Sequence, residues 1–328
     1  AERWSILKTE KLWLSLGLAF LFVSQVHASL FLVMEGDARA EYSGLNGTDG
    51  RINSIGVTGR KVFADNRGDR VILFAQAEWV DNFSKGMLHQ AYGEWKGPMG
   101  RWNIAIGRVP LPWGLLTAWS PDRMPYGSPY DWTRTLSSDN GLMWRGTVGM
   151  WDYGFALTQG YGMEEIREFP GPGNLTCRLG ITPGDEGDFS VGVSFATGTV
   201  YPSAHGGAMK HMAEEPEASE KRSSVAFDWT WNLGRGVYRF EGGARRTRDQ
   251  WHGTVFGSAD YALSSKVALQ MAGQVYVPGS SGNYGRIYGG LAVPLEWFTI
   301  RGGYEYEKTD MDSHRVVVQL YRLFNIVR

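Results

Sequence analysis

Histidine and arginine are the residue types in this sequence with the most chemistry to offer. His314 lies close to Asp310 and Asp312, and an imidazole oriented by a carboxylate can activate water. His205, Met209, His211 and Met212 present the nitrogen and thioether donors that copper or nickel accepts, although this spacing is common by chance and reads first as loop. No recognisable nucleophile motif accompanies these histidines, and surface loops routinely hold such residues. No metal or other cofactor is therefore expected. Cys177 stands alone, which excludes an internal disulfide, a four-cysteine zinc site and the paired cysteines of covalent haem attachment. Arginine is the more informative type. Its planar guanidinium donates two parallel hydrogen bonds to a carboxylate or phosphate, and in Leu175-Thr176-Cys177-Arg178-Leu179 and Phe298-Thr299-Ile300-Arg301 it sits in strict alternation with apolar side chains.

Alternation by twos identifies the elements that must carry these residues. In Val225-Ala226-Phe227-Asp228-Trp229-Thr230-Trp231-Asn232 every odd position is large and apolar and every even one is small or polar, the pattern of a strand with two unlike faces. Similar segments, separated by Gly, Asp, Asn and Pro, recur to the end of the chain. Sixteen strands are expected, near 32–44, 51–65, 69–82, 87–96, 101–109, 140–150, 152–162, 174–183, 187–199, 222–233, 236–248, 252–263, 266–277, 284–293, 297–307 and 313–326. The composition fits: of 328 residues 43% are apolar and 44 are Gly, with 14 Trp, 15 Tyr and 15 Phe, too polar for a helical membrane protein and too apolar for a disordered chain. The formal charge of −1 gives no field that would draw the whole molecule to nucleic acid.

The N-terminus reads as an address. Arg3, Lys8 and Lys11 precede an apolar run from Leu12 to Val23, and Val26-His27-Ala28 supplies the small residues of a secretory cleavage site. Residues 1–28 are therefore expected to be a cleavable signal peptide and 29–328 a single domain. The signal segment carries three basic and two acidic side chains, so the remainder has a formal charge of −2. For an exported chain, strands of this length close into an all-β, transmembrane antiparallel barrel of about sixteen strands, within a range of about 14 to 18. Lipid leaves backbone groups no partner, so the apolar face points outward and the polar face lines the lumen. Connection lengths agree, with seven tight turns on one parity and the three longest connections, near 110–139, 163–173 and 200–221, on the other.

The stretches Leu88-His89-Gln90-Ala91-Tyr92-Gly93-Glu94-Trp95 and Asn103-Ile104-Ala105-Ile106-Gly107-Arg108-Val109-Pro110-Leu111-Pro112-Trp113-Gly114 resemble a segment of the Gram-negative outer-membrane porins, the phosphate-selective and related substrate-specific ones in particular. The resemblance implies a bacterial outer-membrane location among lipid and lipopolysaccharide, passive diffusion of small hydrophilic solutes, anions among the candidates, and a homotrimer. It also implies that the third external loop folds into the barrel as a constriction. By strand parity that loop is Pro110 to Asp139, held by five prolines and five aromatic residues, with Asp122, Arg123, Asp131 and Arg134 as candidates at the narrowest level.

Taking the apolar parity as lipid-facing places Arg70, Arg101, Arg145, Arg178, Arg239, Arg245, Arg286 and Arg301 on the lumen side, opposed by Glu78, Glu94, Asp152, Asp228, Glu241, Asp260 and Glu305. The counts nearly cancel, so selectivity has to come from which sign stands at the narrowest level. Arg145, Arg178, Arg239, Arg245, Arg286, Arg301, Glu94 and Glu241 are the wall residues expected to meet a solute, the competing reading being that they pair across strands and brace the wall. Trp79, Trp95, Trp144, Trp229 and Tyr304 are expected to face lipid. Two other classes remain: a hydrolase at the outer rim, which needs a nucleophile beside a histidine, and a scaffold sheathing an electron-transfer partner, which needs a cytochrome that co-purifies.

Overall fold

The computed structural model describes residues 28–44, 47–66, 68–80, 82–117, 124–125, 136–162, 171–183, 188–201, 219–247, 250–278, 282–309 and 312–327. Sixteen antiparallel strands close on themselves: β1 (Ala28–Ser43), β2 (Gly47–Asp65), β3 (Gly68–Val80), β4 (Lys85–Lys96), β5 (Asn103–Pro110), β6 (Ser138–Val148), β7 (Trp151–Thr158), β8 (Asn174–Ile181), β9 (Phe189–Val200), β10 (Glu220–Leu233), β11 (Gly236–Thr247), β12 (Gln250–Ser264), β13 (Val267–Val277), β14 (Tyr284–Pro294), β15 (Thr299–Lys308) and β16 (Asp312–Val327). Each strand pairs with its sequence neighbours. β1 pairs with both β2 and β16, with Met34 opposite Phe324 at the closing seam, so no edge is left unpaired. The signal-peptide segment 1–27 lies outside the described residues.

The period-2 pattern sets the two faces. In β6, Leu142 and Trp144 are exposed on the outer surface, while Met143 is buried inside the barrel beside Arg145. In β10 the same alternation exposes Val225 and Phe227 and buries Ser224, Ala226 and Asp228. The outer surface is therefore a band of aliphatic residues such as Ile106, Val193, Val255, Ile287 and Leu320, all exposed. Aromatic residues border it: Tyr42, Trp79, Trp251 and Tyr304 toward one end, Trp95, Trp151, Trp231 and Trp297 toward the other. Such a surface suits hydrocarbon with interfacial girdles and would be costly in water. Trp229 shares the outward parity and stacks on Phe240 with ring centroids 5.9 Å apart.

One arginine departs from the expected lumen set. Arg101 stands outside the strands, exposed after the 3-10 turn Pro98–Gly100, because β5 begins only at Asn103, so strand parity does not extend to it. Arg70 lies near the start of β3, opposite a register shift in β2, and pairs with Asp65 at 2.9 Å.

Candidate functional site

The connection from β5 to β6 enters the barrel. Its neck is closed by Leu111 N–H donating to the Ser137 carbonyl at 3.0 Å, and its first residues bury Leu111, Trp113 and Leu115 inside the lumen. Glu241 of β11 holds this segment. Trp113 Nε1 donates to Glu241 Oε1 at 3.2 Å and Leu115 N–H to Glu241 Oε2 at 2.9 Å, while Gly114 N–H donates to Ser194 Oγ at 2.9 Å. Gly114 has φ +45°, and a Cβ there would stand 2.1 Å from Glu241 Oε2, so only glycine lets the carboxylate come this close. Leu115 then packs with Phe256, Tyr288 and Val317, joined by Met124, and Trp113 packs with Ala196 and Ala226. The segment thus leaves β5 and reaches the wall formed by β9–β12, β14 and β16. Where it returns, Ser138 Oγ donates to the His89 carbonyl at 2.6 Å, and the fully buried Asp139 accepts from Gly160 N–H at 2.6 Å and Gly162 N–H at 3.0 Å. Asp122, Arg123, Asp131 and Arg134 lie outside the described residues.

The wall candidates fall into distinct environments. Arg178 lies flat on the wall, with Nε and Nη2 donating to Asp228 at 3.1 and 2.8 Å and Nη1 to Asp152. Gly180 and Gly192 make room for it, since a Cβ at Gly192 would come within 2.3 Å of the guanidinium. Arg239 pairs with Asp260, which also accepts from Gln270 at 2.9 Å. Arg286 donates to Glu307 at 3.0 Å and begins a ladder in which Glu305 bonds Arg315 at 2.7 Å and Glu41 accepts from Arg315 and Arg51 at 3.4 Å each. Arg301 donates to Gln319 at 3.0 Å and lies over the Tyr321 ring, 4.9 Å from its centroid.

Arg145 differs. It reaches across β5 to Glu94, donating from Nε at 2.9 Å, yet its own side chain is 39% exposed while that of Glu94 is 3% exposed. The acid is covered and the guanidinium faces the open lumen. Arg245 differs in another way. It sits opposite His252 in the β11–β12 register and beside Tyr276, and makes no ion pair among the described residues. Tyr276 Oη and His252 Nδ1 are 2.9 Å apart with their rings stacked, and Tyr284 continues the stack.

Sequence reasoning did not single out Trp113, Ser194 or Arg315 as site residues. Strand parity points to Arg315; nothing in the chain announces that Trp113 seats on Glu241. His314 faces outward against Tyr304 and Tyr306, and His89 pairs with Glu78 at 2.6 Å. His205, Met209, His211 and Met212 lie outside the described residues, and no group of three metal-ligating residues occurs among the described ones.

No family model matches the sequence, and no curated protein matches it. Solved structures do match in fold. The in-vitro folded trimer form of OmpT, an outer membrane protein of Vibrio cholerae, aligns over 90% of this chain and 99% of its own with a TM-score of 0.68 at 10% identity. The anion-selective porin from Comamonas acidovorans aligns over 91% of this chain and 100% of its own with a TM-score of 0.67 at 11% identity. OmpF of Salmonella typhi, in complex with daunomycin, covers 90% of this chain and 97% of its own with a TM-score of 0.65 at 12% identity. The chain folds as a closed transmembrane barrel of the sixteen-stranded kind on which outer-membrane porins are built.

Proposed function

We propose that this protein is a Gram-negative outer-membrane porin through which small hydrophilic solutes diffuse passively, with a preference for anions. The observation that carries the reading is the inward course of residues 111–117, which buries Trp113 and Leu115 against the far wall and narrows the lumen on that side. Arg145 supports the anion preference. Its pair with Glu94 has no net charge, but its cationic end is the exposed one, and at a constriction with low-dielectric walls the nearest charge dominates the field a solute meets. Arg178, Arg239 and Arg286 are braces on this reading, since each is held by carboxylates of neighbouring strands. Lipopolysaccharide and lipid cover the outer band, and the protein works as a homotrimer without a cofactor or catalytic step. The anion-selective porin from Comamonas acidovorans and the trimeric OmpT lend this reading their fold.

Reversal potential across a planar bilayer in a salt gradient tests pore formation and charge preference together. A conducting channel whose reversal potential has the anion-selective sign is expected. Absence of conductance sinks the channel reading, and a cation-selective sign sinks the anion preference.

A further inference from the structure

The lumen face of β1–β4 carries a row of side chains that strand parity alone would not assemble. The register pairs Phe31 with Arg60, Arg60 with Phe74 and Phe74 with Tyr92, so the four stand side by side on neighbouring strands. Phe31, Phe74 and Tyr92 share the inward parity of Asp37, Ile72 and Glu94, all three buried. Arg60 joins them because Asn53 drops out of the pairing with β1, which leaves Ile52 and Ile55 both on the outer face and turns Ser54, and with it Arg60, inward. Uninterrupted alternation from Ile52 would have pointed Arg60 at lipid.

All four side chains are half-buried, so each keeps part of its surface open to the lumen. Arg60 lies over the Phe31 ring with its Cζ 5.9 Å from the centroid, and Phe74 and Tyr92 stack with centroids 5.1 Å apart. Tyr92 packs in turn on the cluster of Val109, Leu111 and Leu136 at the neck of the inward connection, and Arg145 bonds it from β6. The row therefore adjoins the constriction. Its charge is not cancelled. Arg60 makes no hydrogen bond or ion pair among the described residues, whereas Arg178, Arg239 and Arg286 are each held by carboxylates. Arg145 and Glu94 offset each other, and Glu35, the first acid along β1, stands opposite Gly56 and is bonded by Tyr321. Water-facing rings beside an uncommitted guanidinium suit a solute that has both a flat apolar body to lie against the rings and an anionic group to meet the cation. A bare inorganic anion gains nothing from Phe31 and Phe74, and a cation is repelled by Arg60.

We propose that the row of Phe31, Arg60, Phe74 and Tyr92 is a binding subsite for anions with a flat apolar body, in which Arg60 donates to the anionic group and the Phe74 and Tyr92 stack covers the body. The inference deepens the channel reading and rests on it: the subsite would hold such solutes beside the constriction as they pass.

The test uses the full folded barrel with benzenesulfonate as probe and methanesulfonate and benzylammonium as comparators at constant ionic strength. Sulfonates stay ionised, so the charge is fixed while the body is varied. Calorimetry in detergent measures binding without requiring conduction, and bilayer recording measures block of the current. Benzenesulfonate is expected to bind saturably and to reduce the current over the same concentration range, with methanesulfonate weaker by about fivefold or more and benzylammonium not binding. Arg60→Gln should weaken benzenesulfonate by about tenfold and Phe74→Leu by about threefold, while Phe74→Leu leaves methanesulfonate unchanged. That difference separates contact with the solute from a change in the wall, and it carries the test if Arg60→Gln does not fold. Conductance without saturable benzenesulfonate binding overturns the subsite and leaves the channel reading standing; binding without conductance does the reverse. Equal benzenesulfonate affinity in Arg60→Gln and wild type, or methanesulfonate binding as tightly as benzenesulfonate, also overturns the proposal.

Discussion

Arg145 and Arg178 are one residue type in opposite surroundings, and the difference decides what each can do. Arg178 is 6% exposed and gives all its bonding to Asp228 and Asp152, so little of its charge reaches the lumen. Removing it would leave Asp228 buried without a counter-ion. Arg178→Met is expected to destabilise the barrel by about 3–5 kcal/mol, and Arg178→Met combined with Asp228→Leu to recover most of that loss, because a buried pair is stabilising mainly against the loss of one partner. Urea unfolding in lipid vesicles measures both. Arg145 should behave differently. Its replacement by Glu places a carboxylate beside Glu94 at an open position, so reversal potential is expected to shift toward cations. The shift should be largest in dilute electrolyte, since the Debye length falls from roughly 30 Å at 0.01 M to about 3 Å at 1 M. An unchanged potential would return Arg145 to wall bracing.

At the scale of elements, Glu241 is the chief anchor among the described residues of the inward connection. One carboxylate accepts from the Trp113 indole and the Leu115 amide, and Gly114 supplies the backbone shape that allows it. Charge-assisted acceptors are about twice as strong as neutral ones. Glu241→Gln is therefore expected to loosen the segment and broaden the single-channel current, with more frequent transitions to a higher level. Deleting residues 118–134 should raise the mean conductance outright. A folded deletion variant with wild-type conductance would show that the connection is a lid on the rim and leave the constriction elsewhere.

For the whole molecule, the closed sheet satisfies its backbone groups internally and presents hydrocarbon-compatible side chains around its circumference, so the sheet is stable only where lipid or detergent covers that band. The cleavage signal read from Val26-His27-Ala28 makes Ser29 the expected first residue of membrane-inserted protein. N-terminal sequencing of outer-membrane material checks it, and finding residues 12–23 attached would contradict it.

The barrel was legible in the sequence because lipid imposes a strict rule: side chains must alternate, and a spanning strand must have a certain length. Expected strands such as 236–248 and 284–293 therefore differ by a residue from the observed Gly236–Thr247 and Tyr284–Pro294. The outward set of Trp79, Trp95, Trp144 and Tyr304 follows from the same rule. Parity also brought Arg145, Arg178, Arg239, Arg245, Arg286 and Arg301 to the lumen, but parity gives direction only. Whether a guanidinium braces or faces solute depends on what lies across neighbouring strands at the same height. That height is set by register between segments far apart in sequence, as when Gly180 and Gly192 clear the way from Arg178 to Asp228. Arg101 failed for the converse reason, since the turn before β5 suspends the alternation. The seat of Trp113 on Glu241, 128 positions apart, was decided by the tertiary structure alone, because it depends on a space that exists only once the barrel closes.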